Sequence, residues 1–377
     1  MSCAVMKFQH LLLVVMLLLL VLPGLAAGKR ETNLLPGVKR IFFVGDSFTD
    51  AAAWPYWMVE TLKAHGSPDL VVHNAAVCGS SMTTVRARYE KDVLDLYPDM
   101  VVISTCTNDA SPAGLETFRQ DIAYLINSAR KAGAKRVLLM TRPPAKNGMG
   151  EVFVTNNQVI REVGKQYNCP VAEVYTAFVE AMKAGKTVIC PDGLHPTADG
   201  WRLMGRTALD ALGCTAPMIE TIPLYPQAIV DWRIGPGVKW NPKDPVPDEI
   251  LAPAFDLVKA GWKSYDLAAA QKQSNDVNLC NYQLGGIDPM LTSTTKDATG
   301  AFAVTTIHSS KARDIVLHIS DFPSLYIWLN GKPIWTNDNH IHGLHPDAAR
   351  IPIHLQRGEN RLVVFSNQCF FVSLGDI

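Results

Sequence analysis

The sequence has no excess of charge of either sign and lacks the cysteine spacing of small metal domains. Lysine and arginine together number 35, and aspartate and glutamate together also number 35. A basic excess or stripe is typical of proteins that bind nucleic acids, so we expect no nucleic-acid partner. No two of the eight cysteines form a Cys-x-x-Cys pair, which argues against a zinc ribbon or a thioredoxin-like motif. The chain also has no internal repeat and no low-complexity tract.

Apolar residues at the N-terminus form a block that is short for a membrane span. The block runs from Leu11 to Leu22 after Lys7, and Pro23-Gly24 and further small residues follow it. This layout predicts a signal peptide over residues 1–27 and a secreted or periplasmic protein with no stable membrane span after cleavage. An uncleaved membrane anchor is the alternative. Seven cysteines would remain after cleavage, an odd number that leaves the disulfide pairing open.

Residues 38–213 alternate between two kinds of hydrophobic pattern. Continuous apolar runs, typical of parallel strands buried on both faces, cover residues 40–44, 70–74, 100–104, 136–140 and 170–174. Apolar residues at helical spacing recur over residues 115–129, 152–167 and 198–212. Strands that alternate with helices predict an α/β domain with a doubly wound parallel sheet.

The remainder of the chain predicts a different architecture. Prolines crowd residues 214–254, which we interpret as an extended linker packed on the first domain. Short strand patterns dominate residues 255–377, and Asn330-Gly331 between two of them predicts a tight hairpin turn. Several short strands at this spacing predict an all-β sandwich.

Polar segments follow the first three predicted strands. Asp46-Ser47 comes after the first strand, Cys78-Gly79 after the second and Thr107-Asn108 after the third. Because ligands of doubly wound sheets bind beyond the carboxyl ends of the strands, these segments should meet at one edge. A fourth polar segment, Asp192-Gly-Leu-His195-Pro, precedes the last predicted helix.

Together these residues predict a hydrolytic site of the serine type. Ser47 is the candidate nucleophile, His195 its general base and Asp192 the group that orients the imidazole. The candidate oxyanion donors are the backbone N–H groups of Ser47 and Gly79 and the side-chain amide of Asn108. The plainer interpretation of each is a helix cap, a turn glycine or a surface loop.

Other polar residues are interpreted as supporting structure. Asp46 is expected to hydrogen-bond the turn around Ser47 and not to join the triad. The histidine-rich run from His340 to His345 lacks an accompanying carboxylate or cysteine set, so we expect a polar loop and no metal there. The chemistry needs no metal or organic cofactor.

At these residues the chain resembles the SGNH (GDSL-type) hydrolase family. Gly45-Asp-Ser, Gly79, Asn108-Asp and Asp192-x-x-His195 are similar to its four sequence blocks. The resemblance covers about residues 38–213 and implies a flavodoxin-like fold, with Ser47, Gly79, Asn108 and His195 in the family's functional positions. Cys106 departs from the pattern, because the family usually has glycine there.

The C-terminal region resembles a galactose-binding-like jelly roll. The similar residues are Leu329-Asn-Gly-Lys332 and the segment from Leu355 to Leu362. An exported SGNH domain joined to such a module resembles bacterial carbohydrate esterases. The resemblance implies an acetylesterase that acts on acetylated polysaccharide or oligosaccharide. The alternatives are a lipase, lysophospholipase or thioesterase for longer acyl groups, or an inactive glycan-binding protein.

Overall fold

The computed structural model describes residues 35–375, apart from 105–106, 110–113, 147–149, 274–278, 292, 294 and 337–342. The predicted signal peptide, residues 1–27, therefore lies outside the described residues. Across the described ranges, no helix combines the length and the apolar character needed to cross a membrane.

Helices and strands alternate in the first half of the chain, and strands dominate the second half. The helices are α1 (Ser47–Asp50), α2 (Trp54–Ala64), α3 (Met82–Asp92), α4 (Leu115–Lys131), α5 (Gly150–Gln166), α6 (Val174–Lys183), α7 (Ala198–Ala211), α8 (Asp248–Leu251), α9 (Leu267–Gln273) and α10 (Leu279–Leu284). The strands are β1 (Arg40–Gly45), β2 (Val71–Asn74), β3 (Met100–Ser104), β4 (Arg136–Met140), β5 (Val171–Ala172), β6 (Arg233–Val238), β7 (Lys263–Ser264), β8 (Gly300–Ser309), β9 (Arg313–Ile319), β10 (Tyr326–Leu329), β11 (Lys332–Thr336), β12 (Ala349–Leu355), β13 (Gly358–Ser366) and β14 (Val372–Gly375).

The N-terminal domain contains the predicted parallel sheet. Its five strands follow the order β2-β1-β3-β4-β5, and every neighbouring pair is parallel. Successive side chains of β1 enter different cores: Ile41 and Phe43 pack with α2 and α7, whereas Phe42 and Val44 pack with α3 and α4. This alternation explains the continuous apolar run, because both faces of the strand are buried. The prediction of an α/β doubly wound fold is confirmed.

The strand order sets the position of the candidate site. The chain passes from β1 outward to β2 and then returns to β3 on the other side of β1. Between β1 and β3 the order reverses, and such a switch point leaves a crevice at the carboxyl ends of the strands. Ser47 follows β1 and Asn108 follows β3.

In the N-terminal domain, the long helices α2, α3 and α6 were not among the predicted elements. Eight of the eleven residues of α2 are buried, so this helix has no polar stripe. A helix that is buried all round shows little hydrophobic periodicity in its sequence. The predicted fifth strand, residues 170–174, is shorter than expected, since α6 already begins at Val174. Thr141, which follows β4, accepts a hydrogen bond from the Tyr175 N–H at the start of that helix.

The C-terminal region forms antiparallel sheets, as expected for an all-β domain. A six-stranded sheet has the order β11-β10-β13-β8-β6-β7, and a three-stranded sheet has the order β12-β9-β14. Residues of both sheets share one hydrophobic core, which is the arrangement of a β-sandwich. Asn330 and Gly331 have φ angles of 51° and 79° and join β10 to β11, so the predicted hairpin turn is confirmed.

The predicted linker, residues 214–254, contributes to both halves of the molecule. Its first part does pack on the N-terminal domain, where Ala216 and Ile222 are buried in the core beside α2. Strand β6 lies within the same segment, however, and pairs with β8 in the C-terminal sheet. The ladder shifts register between Ile234 and Gly237, and this irregularity accommodates Pro236, which has no N–H to donate. The C-terminal sheet thus begins inside the predicted linker, and the domain boundaries themselves remain predictions.

Candidate active site

The nucleophile candidate lies on a tight turn between β1 and α1. Gly45 ends the strand against β3, where a Cβ atom at position 45 would collide with the Ser104 carbonyl oxygen. Glycine is therefore required for the close approach of the two backbones. Ser47 begins α1 immediately afterwards and remains half-buried.

Asp46 holds this turn, as the sequence analysis expects. Its carboxylate is fully buried. One oxygen accepts a hydrogen bond from the Phe48 N–H at 3.0 Å, and the other accepts from the Thr107 N–H at 3.0 Å. A single side chain therefore fixes both the residue after the nucleophile and the loop that carries Asn108.

The structure brings together the three residues of the predicted triad. Ser47 Oγ lies 3.2 Å from His195 Nε2. His195 Nδ1 lies 2.6 Å from Asp192 Oδ2. These distances allow the imidazole to take a proton from the serine hydroxyl while the carboxylate fixes the position of the proton on Nδ1.

The Asp192 side chain is bonded to the backbone of the turn that leads to His195. Asp192 Oδ1 accepts hydrogen bonds from the N–H groups of Leu194 at 2.9 Å and His195 at 3.0 Å. Partial burial tends to raise the pKa of Asp192, but these two N–H donors and the imidazole outweigh it and hold the pKa below its usual value. The carboxylate is therefore charged at neutral pH, as needed to stabilise an imidazolium.

An aromatic ring that the sequence analysis did not single out fixes the plane of the imidazole. The Phe48 and His195 rings stack with their centroids 5.2 Å apart and an interplanar angle of 26°. The guanidinium carbon of Arg142, a buried residue two positions after β4, lies 3.5 Å from the Phe48 ring centroid. The position of Phe48 directly after Ser47 was its only sequence signal, and Arg142 had none.

The two loops with the candidate oxyanion donors are tied to each other. The Asn108 side-chain amide donates a hydrogen bond to the Ser80 carbonyl oxygen at 3.0 Å. Gly79, directly before Ser80, has a φ angle of 79° that favours glycine. Since an amide nitrogen carries two N–H groups, Asn108 retains a second donor for a ligand. Both Gly79 and Asn108 are exposed.

Asp109 makes a second connection between these loops. Its two carboxylate oxygens accept from the Met82 N–H, at 2.9 and 3.0 Å, at the first residue of α3. Burial raises the pKa of Asp109 to about 6 against the opposing effect of that hydrogen bond, and the nearby carboxylates of Asp46 and Asp121 raise it further.

A buried carboxylate that the sequence analysis missed links the site to the C-terminal region. Asp50 Oδ2 accepts from the Cys78 N–H at 2.9 Å, and its Oδ1 accepts from the Leu344 N–H at 2.6 Å. Asn74 supports the same helix by donating to the Thr49 carbonyl at 2.9 Å. No local pattern signals these contacts, because Leu344 lies 294 residues further along the chain.

Several residues of the sequence analysis are not part of this arrangement. Cys106, His340 and His342 lie outside the described residues. His345 is buried, and its Nδ1 lies 2.8 Å from the Pro346 carbonyl oxygen. Over the described ranges, no group of three or more His, Cys, Asp or Glu side chains has a geometry that could hold a metal ion.

Comparison with known families agrees with this geometry. Residues 43–203 match the GDSL-like Lipase/Acylhydrolase family. The N-terminal domain is thus of the GDSL (SGNH) hydrolase type, and that part of the sequence-based resemblance is confirmed. The matched range is less than half of the chain, and the galactose-binding-like resemblance of the C-terminal region remains a prediction.

Individual relatives match over a similar range. An uncharacterized lipoprotein, YqeF of Bacillus subtilis (strain 168), is 26% identical over 212 residues, which cover 45% of this chain and 87% of the relative. An acetylxylan esterase of Geobacillus stearothermophilus is 22% identical over 208 residues, covering 46% and 94%. An acetylxylan esterase of Xylanibacter ruminicola is 28% identical over 148 residues, covering 32% and 30%.

Solved structures also align with part of the chain. A crystal structure of the Geobacillus stearothermophilus acetylxylan esterase aligns with a TM-score of 0.41 at 21% identity, covering 48% of this chain and 97% of that chain. An alpha/beta hydrolase from the metagenome of Lake Arreo, Spain, aligns with a TM-score of 0.44 at 20% identity, also covering 48% and 97%.

Proposed function

We propose that this protein is an exported serine esterase that removes O-acetyl groups from polysaccharide. One observation carries the proposal: Ser47 Oγ, His195 and Asp192 form a continuous hydrogen-bonded series, with distances of 3.2 and 2.6 Å. This series activates a hydroxyl that is otherwise a weak nucleophile. Its position at the switch point of the sheet is where a ligand of this fold binds.

Each residue has a defined part in the proposed reaction. His195 Nε2 takes the proton of Ser47 Oγ as the oxygen attacks the acetyl carbonyl, and Asp192 stabilises the resulting imidazolium. The N–H groups of Ser47 and Gly79 and the Asn108 amide stabilise the oxyanion, at about 3 kcal/mol for each donor. His195 then protonates the departing sugar oxygen, which leaves acetyl-Ser47. Water, deprotonated by His195, attacks this ester, and His195 returns the proton to Ser47 Oγ as acetate leaves.

The substrate class is inferred from the relatives and from the openness of the site. Two of the relatives bear the name acetylxylan esterase, although their identity to this chain is 22% and 28%. The side chains of His195 and Asp192 remain 28% and 45% exposed, so the base side of the site is accessible to an ester on a large polymer. Export is inferred from the residue 1–27 pattern and from a relative named as a lipoprotein.

Hydrolysis of p-nitrophenyl esters by the mature protein tests both the reaction and the acyl preference. Acetate, butyrate, octanoate and palmitate esters are compared, and we expect the highest kcat/KM for acetate. Ser47→Ala should lower kcat at least about 10⁴-fold, because the nucleophile is lost while binding and oxyanion donors persist. Ser128→Ala, at a half-buried serine in α4, is the matched control. Full activity in Ser47→Ala would refute the triad assignment.

A lipid-directed esterase is the second candidate, because the matched family includes lipases. A maximum of kcat/KM at octanoate or palmitate would favour it over deacetylation of polysaccharide. Absence of all ester cleavage, together with retention on a polysaccharide column, would instead support the inactive glycan-binding protein.

A further inference from the structure

A cavity of about 630 Å³ lies between the N-terminal domain and the C-terminal region. The N-terminal side is formed by edge strand β2, the residues that follow it and part of α3. The C-terminal side is formed by Trp335 of β11 and by residues 345–350. Nothing in the proposed triad chemistry uses this cavity.

Rings contribute much of the cavity wall. Tyr56, Tyr225 and Trp335 line it, and so does His73, whose ring stacks on Phe42 with centroids 4.4 Å apart. Aromatic rings present flat apolar surface with a polar group at one end, and pyranose rings offer matching apolar faces edged by hydroxyl groups. The wall is suited to a ligand with both kinds of surface.

Charges in the cavity wall are balanced. Among the described lining residues, three cationic side chains are matched by three carboxylates: Arg88, Lys91, Arg350, Asp92, Asp321 and Asp347. Arg88 pairs with Asp92 at 2.9 Å, and Arg350 pairs with Asp347 at 2.7 Å. Burial also lowers the pKa of His73, so its imidazole is uncharged at neutral pH. A balanced wall favours a neutral ligand over an anionic or cationic one.

Two hydrogen-bond donors in this wall have no acceptor in the described part of the chain. Trp335 Nε1 and Arg88 Nη2 are buried atoms with no hydrogen-bond partner among the residues that the structure describes. Buried donors are rarely left unpaired in folded proteins, and an unpaired one calls for a missing acceptor such as a ligand or water. Sugar hydroxyl and ring oxygens are acceptors of this kind.

The cavity is connected to the candidate active site through the backbone. Asn74, Ala75 and Val77 line it, and the chain continues from them to Gly79, a candidate oxyanion donor. Asn74 also donates to the Thr49 carbonyl in the helix that Ser47 begins. A polymer held in the cavity would therefore contact the same stretch of chain that leads into the active site.

We propose that this interdomain cavity binds uncharged sugar units of a polysaccharide, away from the ester that is cleaved. The inference rests on the proposed function for its choice of polysaccharide, but sugar binding itself requires no ester cleavage. Trp335 contributes its ring face and its Nε1 donor, and Arg88 contributes Nη2.

Binding of unacetylated xylohexaose to the full chain, measured by calorimetry, tests the proposal. We expect saturable binding in the wild type and in Ser47→Ala. Trp335→Phe should weaken it a few-fold and Trp335→Ala about tenfold, because a central aromatic contact is lost. Trp240→Phe is the matched control, since Trp240 also has an Nε1 without a partner among the described residues and packs against Phe365, 4.6 Å away, on another face of the C-terminal sheet.

A kinetic readout separates this site from the catalytic one. The ratio of kcat/KM on acetylated xylan to kcat/KM on p-nitrophenyl acetate should fall about tenfold in Trp335→Ala. Thermal unfolding checks that Trp335→Ala is folded. If it is not, the same ratio is measured with Trp335→Phe.

The possible results distinguish the two proposals. Xylohexaose binding without any esterase activity would refute the proposed function and support the cavity. Esterase activity with no xylohexaose binding, or binding unaffected by both Trp335 variants, would overturn the cavity proposal alone. Tighter binding of a galacturonate hexamer than of xylohexaose would also overturn it, because the ligand would then be anionic.

Discussion

The two turns that supply the candidate nucleophile and its base are held in opposite ways. Asp46 and Asp50, beside Ser47, are buried, and their carboxylates reach partners 61, 28 and 294 residues away. Asp192, close to His195, is 45% exposed, and over the described ranges its carboxylate bonds only to Leu194 and His195. The carboxylates beside the nucleophile thus bond to distant segments, whereas the carboxylate beside the base bonds within its own turn, although Gly193 of that turn also accepts from the Lys146 N–H.

The C-terminal region helps to position the nucleophile turn through one of these distant contacts. The Leu344 N–H reaches Asp50, whose other oxygen holds the Cys78 N–H next to Gly79. Disturbing the nucleophile turn should therefore affect stability and activity together. Disturbing the base turn should affect activity with little change in stability.

Among the changes to these carboxylates, the largest effect is expected at the base turn. Asp192→Asn should lower kcat about 10³- to 10⁴-fold, because the amide no longer fixes the imidazole tautomer or stabilises its charge. The melting temperature should change little, since the side chain is largely exposed. Steady-state kinetics on p-nitrophenyl acetate and thermal unfolding check both statements. Asp210→Asn is the control, because Asp210 is also exposed and pairs locally with Arg206. A large loss of stability in Asp192→Asn would contradict the contrast between the turns.

Removing the buried anchor of the nucleophile turn should reduce stability. Asp46→Ala leaves the N–H groups of Phe48 and Thr107 without their acceptor, and we expect a loss of about 2–4 kcal/mol in the free energy of unfolding. Denaturant unfolding measures this loss. Activity should fall as well, because Ser47 and Asn108 are no longer fixed relative to each other. An unchanged unfolding midpoint would show that the turn does not depend on Asp46.

A milder change at Asp50 tests the link to the C-terminal region. In Asp50→Asn one amide N–H must face a backbone N–H donor, so we expect about a tenfold loss of kcat and about 1–2 kcal/mol of stability. Asp121→Asn serves as the control, because Asp121 of α4 is an equally buried carboxylate that bonds Thr83 and Arg86 of α3. Equal losses of kcat in the two variants would mean that Asp50 has no special role in positioning.

The smallest expected effect is a change in pH dependence. Asp109 has a pKa of about 6 in the folded protein, above its usual value of 3.8. The folded state thus binds more protons than the unfolded state between these values, and this group's contribution to stability falls as pH rises through that window. Asp109→Asn should remove that contribution. Melting temperatures of both proteins from pH 4 to pH 7 measure it, and parallel curves would contradict the prediction.

The N-terminal fold could be predicted from the sequence, because strands buried on both faces leave continuous apolar runs. All five strands of the parallel sheet were located in this way. The sequence did not reveal α2, whose residues are buried all round, or β6, whose Gly-Pro-Gly segment resembles a linker. The same logic applies to the site. Ser47, Asp192 and His195 lie in short local motifs, whereas Asp50, Arg142 and Phe48 have roles that depend on distant contacts.

By itself the sequence determined the parallel sheet, the residues of the candidate triad and the antiparallel character of the C-terminal region. These features arise from hydrophobic period and turn chemistry, which act over a few residues. Only the tertiary structure decided which backbone groups the buried carboxylates accept from and which residues enclose the interdomain cavity. Those partners come from segments up to 294 residues apart, and no local pattern encodes which distant donor will meet a given acceptor.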